Sequence, residues 1–287
     1  MSWELPSFIA AKAMLNVEIN GVLYPFTEVP TRVRAFCRPL LFYRQDCPYD
    51  LAYSGSSLLF RVGSHNFQLS TKHQFRMKDQ PDFKPADSCL LVEDKGKHIA
   101  LTPNGASRIV LDPLSDDFLP QDISLQEYDQ TRNGRDLNPS FLKLPFLDMK
   151  TFADVDRSSI LLVFSIGYPT SAQGYDISLN EDCEVKDVSV VSRFLPIYLD
   201  PKSVGQSCED SRDHISVLEP YRNKIGNADG WSGAPIFFIW RSAGDVGHLG
   251  FGGMITHGGN EGMFLIYRGN DIQTVVSKVL QTKAKSA

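Results

Sequence analysis

Short β-rich runs separated by turn residues are the feature that most limits what this chain of 287 residues folds into. Ser57–Val62 and Asn66–Thr71 flank the turn Gly63-Ser64-His65, which predicts a β-hairpin. Many such runs with turns between them are typical of a β-sandwich or of β-barrels. The other predicted strands are His98–Leu101, Arg108–Leu111, Asp122–Tyr128, a run from Ile160, Val188–Ile197, Pro235–Trp240, His248–Thr256 and Gly262–Tyr267.

Helical patterns are confined to two segments of the sequence. Thr27–Tyr43 predicts helix near the N-terminus, and Asn270–Leu280 carries an apolar stripe behind Asn270, a residue that can cap a helix. A polar, turn-rich stretch precedes a boundary that we place near Asp148–Asp156. We therefore expect an all-β protein with an N-terminal helical extension (1–51), a first strand group (52–150), and a second strand group ending in a helix (151–287).

Charge and hydropathy exclude two classes of partner. The net charge of -5 leaves no basic excess to neutralise phosphates, so no nucleic acid is expected. No apolar run approaches the roughly 18 residues of a membrane helix, so no membrane partner is expected either. The first residues lack a basic start followed by an apolar stretch, which favours a cytoplasmic protein.

The cysteines and the absence of nucleotide motifs limit the chemistry further. The five cysteines are odd in number and no pair is spaced C-x-x-C, which argues against a disulfide framework or a zinc site. Reduced thiols fit the cytoplasm. The sequence has no H-E-x-x-H, no P-loop and no G-x-G-x-x-G after a strand, so neither a cofactor nor a metal is predicted.

The most informative segment is Gly230-Trp231-Ser232-Gly233-Ala234-Pro235. A serine between two glycines can lie on a tight turn with its hydroxyl exposed. The backbone N–H groups of Gly230 and Ser232 would then form an oxyanion hole. Taken alone, the segment is explained equally well by a turn that leads into a strand.

A nucleophilic serine needs a base, and the base needs a carboxylate that orients it. Among six histidines, His73 lies just past a predicted strand, where a rigid element holds it at a cleft. Asp122 opens an alternating strand. Taken singly, a solvated histidine and a turn aspartate explain these two residues as well.

Together these segments resemble the trypsin-like serine proteases. Gly230–Pro235 is similar to the family's Gly-x-Ser-Gly-x-Pro turn, Leu69–His73 to its Leu-Thr-Ala-x-His segment, and Asp122–Leu125 to its Asp-Ile-Ala-Leu strand. They follow the family's order of His, Asp and Ser. The resemblance covers residues 52–283 and extends to Ser54–Phe60, Gly167–Pro169, Gly252–Gly259 and the final helix.

The resemblance implies two antiparallel six-stranded β-barrels with the catalytic residues between them. It makes Ser232 the nucleophile, His73 the base and Asp122 the orienting acid of an endopeptidase that cleaves proteins or peptides. Two other interpretations stay open. One is a catalytically silent interaction module of the same fold, and the other is an unrelated β-sandwich binding protein.

Substrate-binding residues follow from the same resemblance. Gly226 would form the floor of the primary pocket, with no charge, and Asp229 would lie at its rim. Thr256, His257 and Gly258 would lie on the lining strand, where His257 is one position from the histidine of glutamyl-type members. Side chains on a strand alternate between its two faces, so a shift of one position would turn the His257 side chain away from the pocket. At the position before the cut, we expect small or polar uncharged residues to be preferred, with acidic residues ranked second and basic residues third.

Regulation is indicated by Trp231, which stands where many animal members carry an aspartate that pairs with a freshly cut N-terminus. An indole cannot make that ion pair, so activation by N-terminal cleavage is not expected. A protease inside a cell needs restraint. We therefore expect gating by a regulatory protein partner or by rearrangement of the catalytic loop, with the segment before residue 52 as a contact.

Overall fold

Most of the described chain is β-strand. The computed structural model describes residues 15–45, 51–76, 82–94, 97–107, 122–143, 145–207, 212–223, 225, 228–242, 247–258 and 262–286. The predicted strand Arg108–Leu111 lies outside the described residues. Two large sheets curl as half-barrels, which confirms the all-β class.

The first sheet has seven antiparallel strands in the order β7-β6-β3-β4-β5-β9-β8. Its centre is the predicted hairpin, in which Leu58 faces Leu69 and Phe60 faces Phe67. Gly63 turns the chain with a φ of +57°, in the left-handed region that favours glycine. The strands are β3 (Cys37–Tyr43), β4 (Leu51–Val62), β5 (His65–Thr71), β6 (Ser88–Asp94), β7 (Lys97–Leu101), β8 (Gly105–Ser107) and β9 (Ile123–Tyr128).

The second sheet has nine strands, of which seven follow the order β15-β12-β18-β19-β20-β17-β16. An N-terminal hairpin adds the other two, because β1 lies parallel to β19 at Val17 and Gly247. The strands are β1 (Asn16–Ile19), β2 (Val22–Pro25), β12 (Ile160–Gly167), β15 (Leu195–Tyr198), β16 (Gln206–Ser207), β17 (Arg212–Ser216), β18 (Pro235–Arg241), β19 (Gly247–Gly258) and β20 (Met263–Arg268).

Two small ribbons stand apart from the large sheets. One pairs β10 (Thr131–Arg132) with β11 (Arg135–Asp136), and the other pairs β13 (Gln173–Leu179) with β14 (Val185–Ser192). The predicted single strand Val188–Ile197 is therefore wrong, because its first part belongs to the ribbon and its last part, β15, pairs with β12.

The predicted helical segment Thr27–Tyr43 is helical only over its first ten residues. It contains the helix α1 (Val29–Val33) between short 3-10 turns, and from Cys37 onward it is strand β3. Long-range pairing with β4 and β6 overrides the helical pattern there and buries Leu40 and Phe42. The other helices are α2 (Glu219–Arg222) and the C-terminal α3 (Gly269–Ser286).

The C-terminal helix α3 fastens the two sheets to each other. Its apolar stripe, Ile272, Val275 and Val276, is buried in a core cluster that also contains strand residues of both sheets. At its far end, Lys283 pairs with Glu127 of β9 in the first sheet. None of the described helices combines the length and the apolarity needed to cross a membrane.

A shared core brings the inner faces of the two sheets together. Phe146, in the segment that connects the sheets, stacks on Phe60 of β4 at 4.2 Å between ring centroids and contacts Phe251 of β19 at 4.9 Å. All three rings are buried. Burial of one such ring is worth about 1.5–3 kcal/mol, so this stack helps to hold the ends of β5 and β18 close together.

Candidate active site

His73 and Asp122 are joined by two hydrogen bonds at one edge of the first sheet. His73 lies in a 3-10 turn directly after β5, and Asp122 directly precedes β9, the neighbour of β5. One carboxylate oxygen of Asp122 accepts the backbone N–H of His73 at 2.9 Å, and the other lies 2.5 Å from His73 Nδ1. A carboxylate only accepts hydrogen bonds, so this contact places the ring proton on Nδ1 and leaves Nε2 as the acceptor.

Ser232 comes from the second sheet and completes the chain of contacts. Its Oγ lies 2.9 Å from His73 Nε2 and 2.7 Å from the carbonyl oxygen of Thr256, to which it donates. The single hydroxyl proton therefore has two acceptors within reach. The structure brings together the three side chains that the sequence predicts, although 159 positions separate His73 from Ser232.

Two glycines form the turn that presents Ser232. Gly230 has a φ of +88° and Gly233 a φ of +84°. A Cβ on Gly233 would stand 2.0 Å from the carbonyl oxygen of Ser56, so the position has no room for a side chain. The left-handed conformation and the close backbone approach both require glycine here.

The peptide before Gly230 is held in one orientation. The carbonyl of Asp229 accepts the backbone N–H of Thr170 at 2.9 Å. Because the peptide is trans, the N–H of Gly230 points away from Thr170. The N–H of Trp231 is used inside the turn, where it donates to Ala228 at 3.3 Å.

Gln74 is a residue of the site that sequence reasoning missed. The carbonyl oxygens of Ser54, Ser56 and Ser232 lie 2.8, 3.2 and 3.0 Å from its Nε2 and share its two N–H donors. Its Oε1 accepts from the backbone N–H and the hydroxyl of Thr71. This buried amide thus holds the His73 turn against the Ser232 turn. The available signal was the spacing Thr-x-x-Gln, which is a capping box.

Ser56 is a second missed residue, and it supports the glycine turn from β4. Its hydroxyl donates to the carbonyl of Gly230 at 2.7 Å and accepts the backbone N–H of Tyr168 at 2.9 Å. Its own N–H donates to the carbonyl of Ser232 at 2.9 Å. The preceding Gly55 has a φ of +111°, and a Cβ there would stand 2.6 Å from the Gln74 amide.

Trp231 points away from Ser232 and into the core of the second sheet. Its side chain is fully buried and packs against Phe264 at 5.6 Å between ring centroids. Gly167 makes room for it, since a Cβ at that position would stand 2.4 Å from the indole. The buried indole therefore anchors the Ser232 turn in the core of the second sheet.

The residues predicted to bind substrate lie in different places. Gly226 is outside the described residues. Asp229 is exposed, as expected for the rim of a pocket, and its carbonyl is held by Thr170. Gly258 is exposed at the end of β19, and a Cβ there would stand 2.5 Å from the Cβ of Ala228. Glycine at this position lets β19 approach the segment that leads into Ser232.

The expectation that His257 turns away from the site is wrong. Its ring is stacked on the ring of His73 at 4.9 Å. The cause is a β-bulge between β19 and β20, where the pairing shifts between Ile255 and His257. The residue in the bulge, Thr256, is buried and donates its hydroxyl to the carbonyl of Leu265, so it meets Ser232 through its backbone.

Arg212 of β17 adds a positive charge beside this ring. Its guanidinium nitrogen lies 3.3 Å from Nδ1 of His257. The two residues are 45 positions apart in the chain and come together because β17 and β19 both pair with β20. No local pattern in the sequence marks such a pair.

Buried hydroxyl and thiol groups lie on and beside β3, which contains Cys37 and pairs with Cys89 at Leu41. Burial raises the pKa of Tyr168 to about 12, and its hydroxyl donates to the carbonyl of Cys37 at 2.8 Å. Burial likewise raises the pKa of the Cys37 thiol well above its ordinary value and that of Cys89 to about 12. These thiols are protonated at neutral pH and are poor nucleophiles.

Neither metal clusters nor relatives add to this description. Across the described part of the chain, no three histidine, cysteine, aspartate or glutamate side chains cluster as metal ligands would. Comparison with protein-family models and with curated proteins found no match to this chain.

Proposed function

We propose that this protein is a serine endopeptidase that cleaves proteins or peptides through Ser232, His73 and Asp122. The observation that carries the proposal is the continuous chain of contacts from Ser232 Oγ to His73 Nε2 at 2.9 Å and from His73 Nδ1 to Asp122 at 2.5 Å. A nucleophile, a base within hydrogen-bond reach and a group that orients the base are the parts that acyl transfer requires.

Acylation begins when Ser232 Oγ attacks the carbonyl carbon of the scissile bond and His73 Nε2 takes the hydroxyl proton. Asp122 accepts from Nδ1 and stabilises the imidazolium that forms. The tetrahedral intermediate then collapses, the C–N bond breaks, and His73 gives its proton to the leaving amine. A water molecule repeats the sequence on the ester: its proton goes to His73, and the Ser232 oxygen leaves as a hydroxyl.

The negative oxygen of the tetrahedral intermediate needs donors. The backbone N–H groups of Gly230 and Ser232 are the proposed oxyanion hole. The contacts of Ser56 and Thr170 with this turn support the proposal, because they hold its backbone in one conformation before substrate arrives. A preorganised donor of this kind contributes about 10²–10³-fold to kcat.

The proposal includes a fold and a location. The two curled sheets are the halves of a chymotrypsin-like double β-barrel. Residues 52–150 and 151–287 form most of its lobes, and the segment before residue 52 adds β3 to the first sheet and the β1–β2 hairpin to the second. The free thiols of Cys37, Cys89 and Cys183 support work in a reducing compartment, which we take to be the cytoplasm. Restraint by a regulatory protein partner belongs to the same proposal.

At the position before the cut, we expect the protein to prefer small or polar uncharged residues first, acidic residues second and basic residues third. The guanidinium of Arg212 beside His257 supports the placing of acidic above basic residues, because it would repel a basic side chain from this edge of the site. The carboxylate of Asp229 favours the reverse ranking, but it is exposed at the rim, where solvent screens its charge.

Cleavage of a peptide library tests the proposal. Wild-type protein should cut peptides at defined positions, and the variants Ser232→Ala and His73→Ala should lose this activity while keeping the wild-type far-UV spectrum. Ser158→Ala, at an exposed serine in the 3-10 turn that precedes β12, is the matched control and should cleave like wild type. A wild type that cleaves nothing, or a Ser232→Ala variant with full activity, would overturn the proposal in favour of a silent interaction module.

A further inference from the structure

A row of three side chains leads from β17 to the proposed base. A guanidinium nitrogen of Arg212 lies 3.3 Å from Nδ1 of His257, and the ring of His257 is stacked on the ring of His73 at 4.9 Å, with 26° between the ring planes. Asp122 and Ser232 contact the two nitrogens at the edge of the His73 ring. His257 therefore covers a face of the ring that neither of these two residues holds.

The contact with Arg212 determines the protonation state of His257. A guanidinium carries N–H donors, no acceptor and a permanent positive charge. Nδ1 of His257 therefore takes part in this contact as the acceptor, which places the single ring proton on Nε2 and leaves the ring neutral. Protonation of the ring would bring two positive charges together and break the hydrogen bond, so Arg212 opposes it.

The charged and titratable groups of β17 other than Arg212 are paired or farther from His257. Asp213 lies on the buried face of the strand and accepts two hydrogen bonds from Arg268 at 3.0 and 2.7 Å. His214 is on the same face as His257, but Leu265 of β20 pairs with both of them and lies between them. Two strand spacings, roughly 10 Å, therefore separate the backbones of the two histidines.

Two carboxylates lie on the other sides of His257. Asp122 contacts the edge of His73, and both of its oxygens are engaged by that residue. On the side of the Ser232 turn, Gly258 packs against Ala228, and the residue after Ala228, Asp229, is exposed, so that solvent screens its charge. Arg212 is the charged side chain that contacts a nitrogen of the His257 ring.

The charge on His257 matters because His73 becomes a cation when it takes the proton of Ser232. A neutral aromatic ring packs against a cation without repelling it. A second imidazolium at 4.9 Å would instead oppose the proton transfer. The stack also holds the orientation of the His73 side chain, which is only partly buried.

We propose that His257 is a positioning residue for His73 and that Arg212 keeps the His257 ring neutral, so that the base takes the proton of Ser232 without a second cation stacked on it. The inference rests on the proposed function. It requires no contact between His257 and the substrate, and it explains why an arginine and a histidine lie side by side next to the base.

The first measurement needs no substrate and follows the histidine ring signals by NMR as a function of pH. The signal that is absent from His257→Phe belongs to His257. In wild type, this ring should take up its proton below the ordinary midpoint of about pH 6.5, and Arg212→Leu should move the midpoint up by about one pH unit. Arg32→Leu removes the same charge from helix α1 and should leave the midpoint unchanged.

The second measurement is the pH dependence of kcat/KM for a small uncharged ester. In wild type and in Arg32→Leu, kcat/KM should fall in one step as the pH falls, when His73 is protonated. In Arg212→Leu it should fall in two steps, of which the earlier one, the protonation of His257, lowers it about three- to tenfold. The double variant of Arg212→Leu and His257→Phe should lack the earlier step, because phenylalanine does not titrate.

A third comparison tests the positioning role of the ring itself. At mildly alkaline pH, His257→Ala should lower kcat about tenfold, because nothing then packs against the face of His73. His257→Phe restores a flat ring at this position and should recover most of that loss.

Three results would overturn the inference while the proposed function stands. A His257 midpoint that is the same in wild type and Arg212→Leu shows that the guanidinium does not keep the ring neutral. A single step in Arg212→Leu, or an earlier step that persists in the double variant, removes the charge of His257 from the proton transfer. Equal loss of kcat in His257→Ala and His257→Phe refutes positioning by a stacked ring. A wild type that does not hydrolyse the ester overturns the proposed function, and the inference with it.

Discussion

Replacing Gln74 by leucine tests the contact network that joins the two sides of the site. Leucine fills a similar volume but makes no hydrogen bond. The change leaves the buried N–H of Thr71 without its acceptor and the carbonyls of Ser54, Ser56 and Ser232 without the amide donor. The hydroxyl of Thr71 can turn to another acceptor, and the amide has only two N–H donors, so we count three lost hydrogen bonds.

The magnitude follows from those three hydrogen bonds. The net contribution of each is about 0.5–1.5 kcal/mol, and a buried group left unpaired costs about 1–3 kcal/mol. The carbonyl of Ser232 keeps the N–H of Ser56, which reduces the total. We expect Gln74→Leu to lower the free energy of unfolding by about 3–4 kcal/mol. For a chain of this length that is a Tm decrease of roughly 6–8 °C.

Urea unfolding and peptide cleavage by the folded fraction are the assays, with Gln68→Leu as the control. Gln68 is equally buried, but its amide contacts Ser57 and Tyr128, away from Ser232. Both variants should be destabilised, whereas only Gln74→Leu should lose kcat, by about 10²-fold, because the nucleophile and the base shift relative to each other. A Gln74→Leu variant with wild-type kcat, or a stability change below about 1 kcal/mol, would refute this reasoning.

Three further predictions concern single residues. Asp122→Asn should keep the fold but lower kcat by about 10⁴-fold, because the amide stabilises the wrong tautomer of the histidine ring; steady-state kinetics would contradict this with a loss below tenfold. Burial favours a raised pKa for Glu127, but the hydrogen bonds from Lys283 and His65 outweigh burial and lower it. Its contribution to stability is therefore present above the unfolded pKa, near 4.3, and is lost as the pH falls through the lower folded value. The difference in urea stability between wild type and Glu127→Gln should be present at neutral pH and disappear in strong acid, and a difference that does not change with pH would contradict the ion pair. Because Trp231 is buried and uncharged, the intact mass of active protein should show no internal cut, and activity that appears only after trimming would contradict this.

Local patterns predicted the parts of the fold that local chemistry determines. The β4–β5 hairpin follows from alternating side chains around a glycine turn, and β18 to β20 follow from apolar runs with glycines between them. The segments around His73, Asp122 and Ser232 were recognisable because their order and spacing in the chain resemble those of the trypsin-like serine proteases. Their distances in the structure are those that acyl transfer needs, and their catalytic roles stay predictions.

The features that the sequence did not predict depend on contacts between segments that are far apart in the chain. Cys37–Tyr43 has a helical pattern, yet it pairs on both sides as β3. His257 faces His73 because one residue is inserted at a bulge, and no single-residue pattern marks a bulge. Gln74 was not predicted as part of the site, because the three carbonyls within reach of its amide come from β4 and from the Ser232 turn, far away in the sequence.

The most direct test of the account is covalent labelling of the intact protein with a fluorophosphonate, followed by peptide mapping. Such a probe reacts with a serine whose hydroxyl is activated by a neighbouring base. We predict one label per chain, located on the peptide that contains Ser232, and no label on His73→Ala or on heat-unfolded protein. Labelling of a different serine, or no labelling of folded wild type, would contradict the claim that Ser232 and His73 form a working nucleophile and base.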